Sequence, residues 1–366
     1  MQTKRVVVMV GSEGAFGRNA ALGIRSFARG RLPWVFQFHQ PTIASIQGVL
    51  EWEAEGVITE IWSQEMAEAI QQLNRPTVDL SNWGIGVPIA AVDSRAAGRV
   101  GAEYFLDRNY RHLGYAALED APFAQKRRQA FTTRAEEAGL VAHIFQRPYL
   151  GDSGRAMSGW GAVDQALKSW LLALPKPVGI LADNDGKALQ LMEAARQAGS
   201  DIPEQVAVLG IDNDEVLCEL AQPPLSSVAM PANRVGYEAA ALLEQLMAGK
   251  KPKAPVVLLS PIGVVTRQSS DVSAIEDADL AAIVKFIRVN AHRPFKLAEA
   301  LDTLALSRRS LERRFKKTLG RTLLDEVNRV HVEQARQLLT LTDLTMRQVA
   351  ERSGFSNIRR LAIVFK

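Results

Sequence analysis

The chain has 366 residues, of which 47% are hydrophobic and 23% charged, an ordinary balance for a folded protein of two or three domains. Cys218 is the one cysteine and the five histidines are scattered, so the sequence predicts no disulfide framework, no metal site and no cofactor. The apolar run near the start is too short for a signal peptide and no stretch is long enough to cross a membrane, which favours a cytoplasmic protein without a membrane partner.

The net charge of +4 is distributed unevenly along the chain. The residues after Ser270 contain 18 Lys and Arg against 12 Asp and Glu, a balance of +6, which leaves −2 for the rest. A basic surplus confined to one segment is typical of a part that contacts nucleic acid. The alternative is a solvated basic face on an ordinary helical domain.

Strand-like apolar runs alternate with helical patterns over the first 268 residues. The predicted strands are Arg5–Val10, Trp34–Phe38, Gly56–Thr59, Thr77–Leu80, Ile89–Val92, His112–Leu118, Val141–Phe145, Val178–Ala182, Val206–Ile211 and Val256–Leu259. Helices are predicted at Phe16–Ala28, Arg95–Asn109, Lys126–Ala138, Ala162–Leu172, Lys187–Gln197 and Arg234–Met247. This alternation predicts parallel sheets with helices on both faces. Because the run is too long for one sheet, it is predicted to divide near Glu119–Asp120 into two lobes with a cleft between them.

The glycine-bearing loop Gly11–Gly17 does not have the spacing G-x-G-x-x-G of a dinucleotide site. The next strand ends without a carboxylate that could hold a ribose. The sequence also contains no nucleophile elbow, Walker loop or zincin motif, which weakens the case for an enzyme.

Two carboxylates come first after predicted strands, Asp183 after one and Asp212 after another. In open α/β sheets ligands bind outside the carboxyl ends of the strands. A carboxylate can accept hydrogen bonds from two adjacent hydroxyls, as a sugar offers. Asp183 and Asp212 are therefore predicted to bind a sugar, and helix N-capping is the alternative. For Asp185 and Asp214, later in the same turns, capping is the preferred interpretation.

Several further side chains are predicted to complete the sugar site. Arg18, at the start of the first helix, can donate to sugar oxygens, and Phe16 or Trp83 can stack against an apolar sugar face. Arg127 can close on the ligand from the second lobe, with a surface role as the alternative. Asn213 is the last predicted member.

The stretch Phe295–Phe315 predicts two short helices joined by a tight turn. Ser307 is a suitable N-cap for the second helix, in which Leu311 and Phe315 point inward. Arginines remain on its outer face, and arginine can pair with guanine or grip phosphates in the major groove. The predicted DNA contacts in this helix are Ser307, Arg308, Arg309, Ser310 and Arg313.

A second copy of the pattern follows about fifty residues later. Thr345 and Gln348 fit a capping box, Gly354–Ser356 is the turn, and Asn357–Lys366 is the second candidate reading helix. The long helical pattern Leu323–Leu339 would fix the spacing of the two reading helices, which reach adjacent major grooves if they lie about 34 Å apart. The predicted contacts here are Asn357, Arg359 and Arg360.

These last eighty or so residues resemble the AraC/XylS family of bacterial transcription regulators. The resemblance rests on Ser307, Leu311, Arg314-Phe315-Lys316, Gly320, Arg336, Leu338-Leu339, Val349-Ala350 and Gly354-Phe355-Ser356. Two features depart from the family: Arg360-Leu361 stand where it has an aromatic pair, and the chain stops at Lys366, where the family continues into a further turn and helix. Two explanations stay open: either the chain is truncated, or the second unit is incomplete at its C-terminus.

Four stretches of the first 268 residues form a second recognisable pattern: Ala182–Asp185, Asp201–Asn213, Leu225–Val228 and Gly236–Ala240. On these stretches, residues 4–268 are similar to the effector domain of LacI-type repressors. This similarity implies the two-lobed periplasmic sugar-binding fold, although in LacI-type proteins the DNA-binding part comes first and here it follows. The combined resemblance implies a D-xylose effector and a homodimer, whose face would use the helices Arg95–Asn109 and Arg234–Met247. The apolar residues expected on that face are Val100, Tyr104 and Phe105, with packing against their own sheet as the alternative.

The predicted fold is thus a two-lobed α/β periplasmic-binding-protein-like domain (1–268), a linker (269–280) and an all-α domain with two helix-turn-helix units (281–366). The expected function is that of a sugar-responsive regulator that binds double-stranded operator DNA and activates pentose-utilisation genes, with RNA polymerase as a further candidate partner. Two alternatives remain open. One is a sugar-binding module without DNA activity, and the other is a sugar-modifying enzyme.

Overall fold

A computed structural model describes residues 3–117, 121–146, 165–271, 277–295, 299, 308–341 and 344–365. The chain forms two compact units, Met1–Val272 and Ser273–Lys366. The first unit contains two six-stranded sheets, and the regular elements described in the second unit are all helices.

The first unit is an alternating α/β structure. Its strands are β1 (Lys4–Met9), β2 (Trp34–His39), β3 (Gly56–Thr59), β4 (Thr77–Asp79), β5 (Ile89–Val92), β6 (His112–Ala117), β7 (Ala142–Gln146), β8 (Val178–Ala182), β9 (Val206–Asp212), β10 (Ser226–Ala229), β11 (Val256–Leu259) and β12 (Gly263–Val265). Its helices are α1 (Ala15–Ala28), α2 (Ile43–Glu51), α3 (Gln64–Gln72), α4 (Ser94–Leu106), α5 (Pro122–Glu137), α6 (Gln165–Ala173), α7 (Asp185–Gln197), α8 (Glu215–Leu220) and α9 (Ala232–Met247).

The two sheets define two lobes. The first lobe has the strand order β11-β5-β4-β3-β1-β2 and its strand pairs are parallel. The second has the order β12-β10-β9-β8-β6-β7, in which β12 pairs antiparallel with β10. Strands β3 and β8 are buried along their whole length, as expected for sheets covered on both faces.

The prediction that the lobes divide near Glu119–Asp120 is wrong. Residues 118–120 lie outside the described part, but β6 already belongs to the second sheet, so the first passage between lobes comes at Asp93, between β5 and α4. The chain returns to the first lobe after β10 and leaves it again after β11. Hydrophobic patterning could not reveal this division, because buried strands of both sheets have the same apolar character.

The predicted strands are confirmed, each to within one residue of its observed bounds, with Leu118 outside the described residues. The predicted helices are also present, although α5 begins earlier than expected, with Pro122 in its first turn, where proline is well tolerated. Residues 162–164 of one predicted helix lie outside the described part. Strands β10 and β12 escaped prediction: β10 is short and contains two serines, Ser226 and Ser227, which are fully buried.

Two of the three apolar residues that were expected on a dimer face, Tyr104 and Phe105, are buried within the unit, whereas Val100 is half-buried. Phe105 is fully buried beside Gly179, and Tyr104 is 6% exposed, with its hydroxyl bonded to Ser270 Oγ at 2.9 Å. Helix α9 packs closely on α1, where a Cβ at Gly23 or at Gly236 would lie about 1.9 Å from a backbone oxygen of the other helix. Tyr104 and Phe105 are therefore core residues of their own lobe.

The second unit is helical and contains a small apolar core. Its described helices are α10 (Ala278–Val289), α11 (Arg308–Leu319), α12 (Leu323–Leu341), α13 (Met346–Arg352) and α14 (Ile358–Phe365). Leu311 and Phe315 are fully buried, as predicted, and the Thr345–Gln348 capping box is present. Apart from Glu299, the predicted first helix of the leading helix-turn-helix, the turn after it and Ser307 fall outside the described residues. Of the predicted linker, Ser269 and Ser270 are buried in the first unit and Asp277 caps α10, whereas 272–276 lie outside the described part.

A row of edge-to-face rings crosses the second unit. Phe295 lies 5.7 Å from the His331 ring on α12, and His331 lies 5.5 Å from Phe355, which follows α13. His331 is 6% exposed, and burial lowers its pKa to about 4. Gly354 has a left-handed backbone, and a Cβ at this position would lie 2.4 Å from His331 Nε2. Glycine therefore permits both this backbone conformation and the close approach of the histidine ring.

We expect acid to destabilise the second unit through His331. An unfolded histidine takes up its proton near pH 6.5 and the folded one only near pH 4, so stability is present above 6.5 and is lost as the pH falls towards 4. Between pH 7.5 and 5.0 the loss is about 2 kcal/mol, measurable by urea unfolding. His331→Met should show a correspondingly flatter dependence, while the exposed His292→Gln should behave as the wild type. Equal pH slopes for His331→Met and the wild type would contradict this assignment.

Candidate functional site

Loops at the carboxyl ends of strands in the two lobes meet across a cleft. On one side, Arg18 Nη2 donates to Asp214 Oδ2 at 2.6 Å, which joins α1 of the first lobe to the turn after β9 of the second. On the other side, Lys126 Nζ of α5 donates to the carbonyl of Asn82 in the first lobe at 2.8 Å. The cleft between these two contacts lies where open α/β sheets bind ligands.

A buried arginine lies at the centre of the second-lobe wall. Arg127 is 4% exposed, its Nη1 donates to the carbonyl of Asp183 at 2.5 Å, and its Nη2 is 4.0 Å from Asp212 Oδ1. The guanidinium lies over the Phe123 ring, 4.9 Å from its centroid. Its Nε has no partner among the described residues. Arg127 is thus a buried donor between the two predicted sugar-binding aspartates, and the alternative of a surface role is wrong.

Asp183 is bonded to Tyr115, a residue that was not predicted from the sequence as part of the site. It is fully buried, and its Oδ1 accepts a hydrogen bond from the Tyr115 hydroxyl at 2.9 Å. Burial first, and then the charge of Asp183, raises the pKa of Tyr115 well above its usual range, so the phenol keeps its proton and remains a donor. Tyr115 lies on β6, which pairs with β8, and this pairing could not be known from the sequence.

The turn after β9 places Asp212 at the cleft. Its side chain is 17% exposed, whereas that of Asp214, two residues on, is 3% exposed. Asn213, the other predicted member, is directed to the interior: its Oδ1 accepts from Arg267 Nη1 at 2.9 Å and its N–H donates to Ser227 Oγ at 3.0 Å. Within this turn Asp212 is therefore the side chain best placed to contact a ligand.

Arg18 does not form the expected set with Asp183 and Asp212. It pairs with Asp214 and also donates to the carbonyls of Ser12 at 2.9 Å and Glu13 at 2.8 Å. Asp214 caps α8 as predicted, with Leu217 N–H at 3.4 Å from its Oδ1, and so has two roles. Arg127 takes the position beside the two aspartates that the sequence had suggested for Arg18.

The first lobe contributes aromatic and acidic side chains to the loops that follow β1 and β3. Glu60 Oε2 accepts from Gly11 N–H at 2.6 Å, and a Cβ at Gly11 would lie 2.8 Å from the Trp62 ring, so the glycine makes room for this tryptophan. Phe16 is half-buried at the start of α1. Trp83, in contrast, packs against the core of its own lobe. Glu60 and Trp62 were missed, although their position just after a strand could have suggested them.

Opposite Lys126 lies a fully buried carboxylate. Asp79 accepts from the backbone N–H of Ser81 and of Trp83, both at 2.7 Å. Burial raises the pKa of Asp79, and the positive charge of Lys126 opposes that change. Burial likewise lowers the pKa of Lys126, opposed by Asp79. The two groups therefore stabilise each other's charge across the cleft.

A second candidate site is the arginine surface of the second unit. On α11, Arg309 and Arg313 are exposed, whereas Ser310 is half-buried; the backbone of Arg308 is helical and its side chain lies outside the described part. Arg314, on the same helix, instead bonds Asp277 and Asp279 at the start of α10. On α14, Arg359 and Arg360 are exposed; Asn357, just before this helix, is exposed too, and its Oδ1 accepts from the Arg360 N–H at 2.9 Å.

The described ranges contain neither a metal-binding cluster nor a membrane-spanning helix. No group of three or more His, Cys, Asp and Glu side chains among those residues could hold a metal ion. None of the helices described is both long and apolar enough to span a bilayer.

Comparison with known proteins agrees with this architecture. A periplasmic binding protein-like domain matches residues 102–270 and a helix-turn-helix domain matches residues 301–366. The xylose operon regulatory protein of Escherichia coli (strain K12) is 25% identical over 377 residues, which cover 99% of this chain and 94% of the relative. The xylose operon regulatory protein of Haemophilus influenzae (strain Rd) is 27% identical over 340 residues, which cover 90% of this chain and 85% of the relative. A solved structure of the xylose-binding transcription activator xylR, 24% identical, superposes with a TM-score of 0.80 over 100% of this chain and 95% of that one.

The fold and the two domain matches define a transcription regulator in which a periplasmic-binding-protein-like sensor domain precedes an AraC-type helix-turn-helix domain. It is a regulatory protein and not an enzyme. Over nearly its whole length the chain is a homologue of the xylose operon regulatory proteins.

We expect the Arg18–Asp214 pair to couple the stabilities of the two lobes. Asp214→Asn keeps a good helix cap but removes the charge, and Arg18→Met removes the partner. Because the Arg18 side chain is 43% exposed, solvent screens the pair, and a double-mutant cycle in denaturant should give a coupling energy of only about 0.5–1 kcal/mol.

The matched control is the exposed Arg196–Glu193 pair, which lies within α7 alone and should couple by less than about 0.5 kcal/mol. A coupling energy of zero for Arg18 and Asp214 would show that this contact does not join the lobes.

Proposed function

We propose that the first unit binds D-xylose in the cleft between its lobes. The observation that carries the proposal is the buried Arg127 guanidinium, held between Asp183 and the partly exposed Asp212 at the ends of neighbouring strands. Fixed donors and acceptors of this kind suit the adjacent hydroxyls of a sugar. Phe16 and Trp62 of the first lobe are the candidate apolar faces for its ring. The choice of D-xylose is supported by the relatives, which are named for the xylose operon.

The second unit is proposed to bind operator DNA through the exposed arginines of α11 and α14. Arginine on an exposed helix face can contact guanine edges or phosphates in the major groove. Arg314 is held by Asp277 and Asp279, so it serves to orient α11, while Arg309 and Arg313 remain at the surface. Arg359 and Arg360 are the corresponding residues of α14.

The regulatory scheme is that sugar binding closes the cleft and changes DNA binding in a homodimer, so that pentose-utilisation genes are activated with RNA polymerase in the cytoplasm. A ligand shifts such an equilibrium only if it binds one arrangement more tightly than the other. Contacts from both lobes to one sugar would provide this difference. The Arg18 and Lys126 contacts would be made or broken in the same movement.

The sugar proposal is tested by calorimetry with D-xylose, D-ribose, L-arabinose and D-glucose. We expect D-xylose to bind best, and Asp212→Ala and Arg127→Met each to weaken its binding about 10- to 100-fold, because each removes a charge-assisted hydrogen bond. Asp107→Ala, at an exposed position in the same lobe, is the control and should bind as the wild type. Wild-type protein that binds none of these sugars would overturn the proposal. Unchanged affinity in both site variants would show that neither Asp212 nor Arg127 binds the sugar.

The DNA proposal is tested by titrating promoter DNA at several salt concentrations. If Arg309 contacts a base, Arg309→Ala should lose about 1–3 kcal/mol of specific binding and keep its non-specific binding; a phosphate contact would instead reduce the salt slope by about one. Arg196→Ala, an exposed arginine of the first unit, should change neither quantity. If Arg309→Ala also changes neither, Arg309 does not contact DNA.

A further inference from the structure

The turn that carries Asp212 has an unusual backbone. Asp212 has φ of 106° and Asn213 has φ of 52°, so two successive residues other than glycine lie in the left-handed region. This conformation is strained for a residue other than glycine and persists only where the surroundings impose it. Since the direction of the Asp212 carboxylate depends on this turn, the groups that hold the turn also determine the geometry of the cleft.

Three buried side chains hold the turn, and we call them the turn clasp: Asp185, Ser227 and Arg267. Asp185 Oδ2 accepts from the Asp214 N–H at 2.7 Å, and Ser227 Oγ accepts from the Asn213 N–H at 3.0 Å. Asp185 Oδ1 and Ser227 Oγ are joined by a 2.5 Å hydrogen bond, and Arg267 binds the Asn213 side chain. The three residues are 2%, 0% and 9% exposed, respectively.

Asp185 is not needed as a helix cap, contrary to the preferred interpretation of the sequence. Asn184 caps α7 by accepting from the Lys187 N–H at 2.9 Å, so Asp185 is the first residue inside the helix. Its carboxylate instead lies against β9, where a Cβ at Gly210 would come within 2.1 Å of Oδ1. Gly210 in β9 therefore leaves the space that the Asp185 carboxylate occupies, and a larger residue at this position would displace the clasp.

We propose that Asp185, Ser227 and Arg267 are positioning residues of the sugar site. They hold the turn after β9 in its left-handed form, so that the Asp212 carboxylate stays beside Arg127. This inference rests on the proposed function in one respect only, namely that Asp212 binds the sugar.

The charges around Asp185 make its role sensitive to pH. Four groups face Asp185: Asp212 and Asp214 in the turn, Cys218 on α8 and Ser227 on β10. Arg267 also lies close by. Burial first, and then the charge of Asp212, raises the pKa of Asp185 to about 8. Ionisation above that pH would add a buried charge beside two other carboxylates and loosen the turn. Sugar affinity should therefore fall between pH 7 and 9.

Two measurements on the full chain test the clasp. The first is hydrogen exchange of the peptide covering residues 208–218, which reports on the bonded amides of Asn213 and Asp214 without any sugar. The second is calorimetry with D-xylose. Asp185→Ala and Ser227→Ala should each speed exchange in this peptide and weaken D-xylose binding about 10-fold, because each leaves a buried N–H without its acceptor. Asp185→Asn, which mimics the neutral carboxyl, should keep the pH 7 affinity and lose the change between pH 7 and 9.

Asn184→Ala is the matched control, because it removes the cap of the same helix and lowers stability without touching the turn. It should lower Tm and leave both the exchange of residues 208–218 and the sugar affinity unchanged. Wild-type exchange in Asp185→Ala and Ser227→Ala would overturn the clasp, and so would unchanged sugar affinity in both. If Asp185→Ala does not fold, Ser227→Ala and the pH profile of Asp185→Asn decide. If the wild type binds no sugar, the proposed function fails, and the exchange result still decides whether the clasp holds the turn.

Discussion

The buried ionisable groups at the carboxyl edge of the second sheet are the constraint on which the first unit depends. Arg127, Asp183, Asp185 and Asp214 are nearly inaccessible to solvent, and removing such groups from water is costly unless each finds partners. The partners come from different elements: Tyr115 from β6, the backbone of the turn after β9, and Arg18 from the other lobe. The strands and helices that meet here are therefore tied to one another through polar contacts as well as apolar packing.

This arrangement explains why a two-lobed sensor can respond to a small ligand. The chain crosses between the lobes three times, so each lobe is built from separate parts of the sequence. Two contacts described across the cleft, Arg18 to Asp214 and Lys126 to Asn82, are polar, and the first of them is partly screened by solvent. A ligand that bonds to both walls can then change the balance between arrangements with a modest binding energy.

In the second unit, helix α11 carries arginines of two kinds, one that bonds to another helix and others that are exposed to solvent. Arg314 is bonded to Asp277 and Asp279 at the start of α10, and Arg309 and Arg313 remain exposed. The amphipathic pattern of this helix predicted that Arg309 and Arg313 lie at the surface, and the structure confirms it. It gave no reason to assign Arg314 a different role, because Asp277 lies 37 residues earlier in the chain and the contact is visible only in three dimensions.

The sequence by itself determined ten of the twelve described strands, the longer helices and the α/β character of the first unit, and the helical tail, because these follow from local periodicity and capping. It also predicted Asp183 and Asp212 as sugar-binding residues, since both lie at the carboxyl ends of buried strands. Only the tertiary structure decided which strands share a sheet, that Arg127 rather than Arg18 lies beside the two aspartates, and that Asp185 holds the next turn instead of capping its helix. These outcomes depend on contacts between residues far apart in the chain, and no local pattern encodes which of several similar charges will meet.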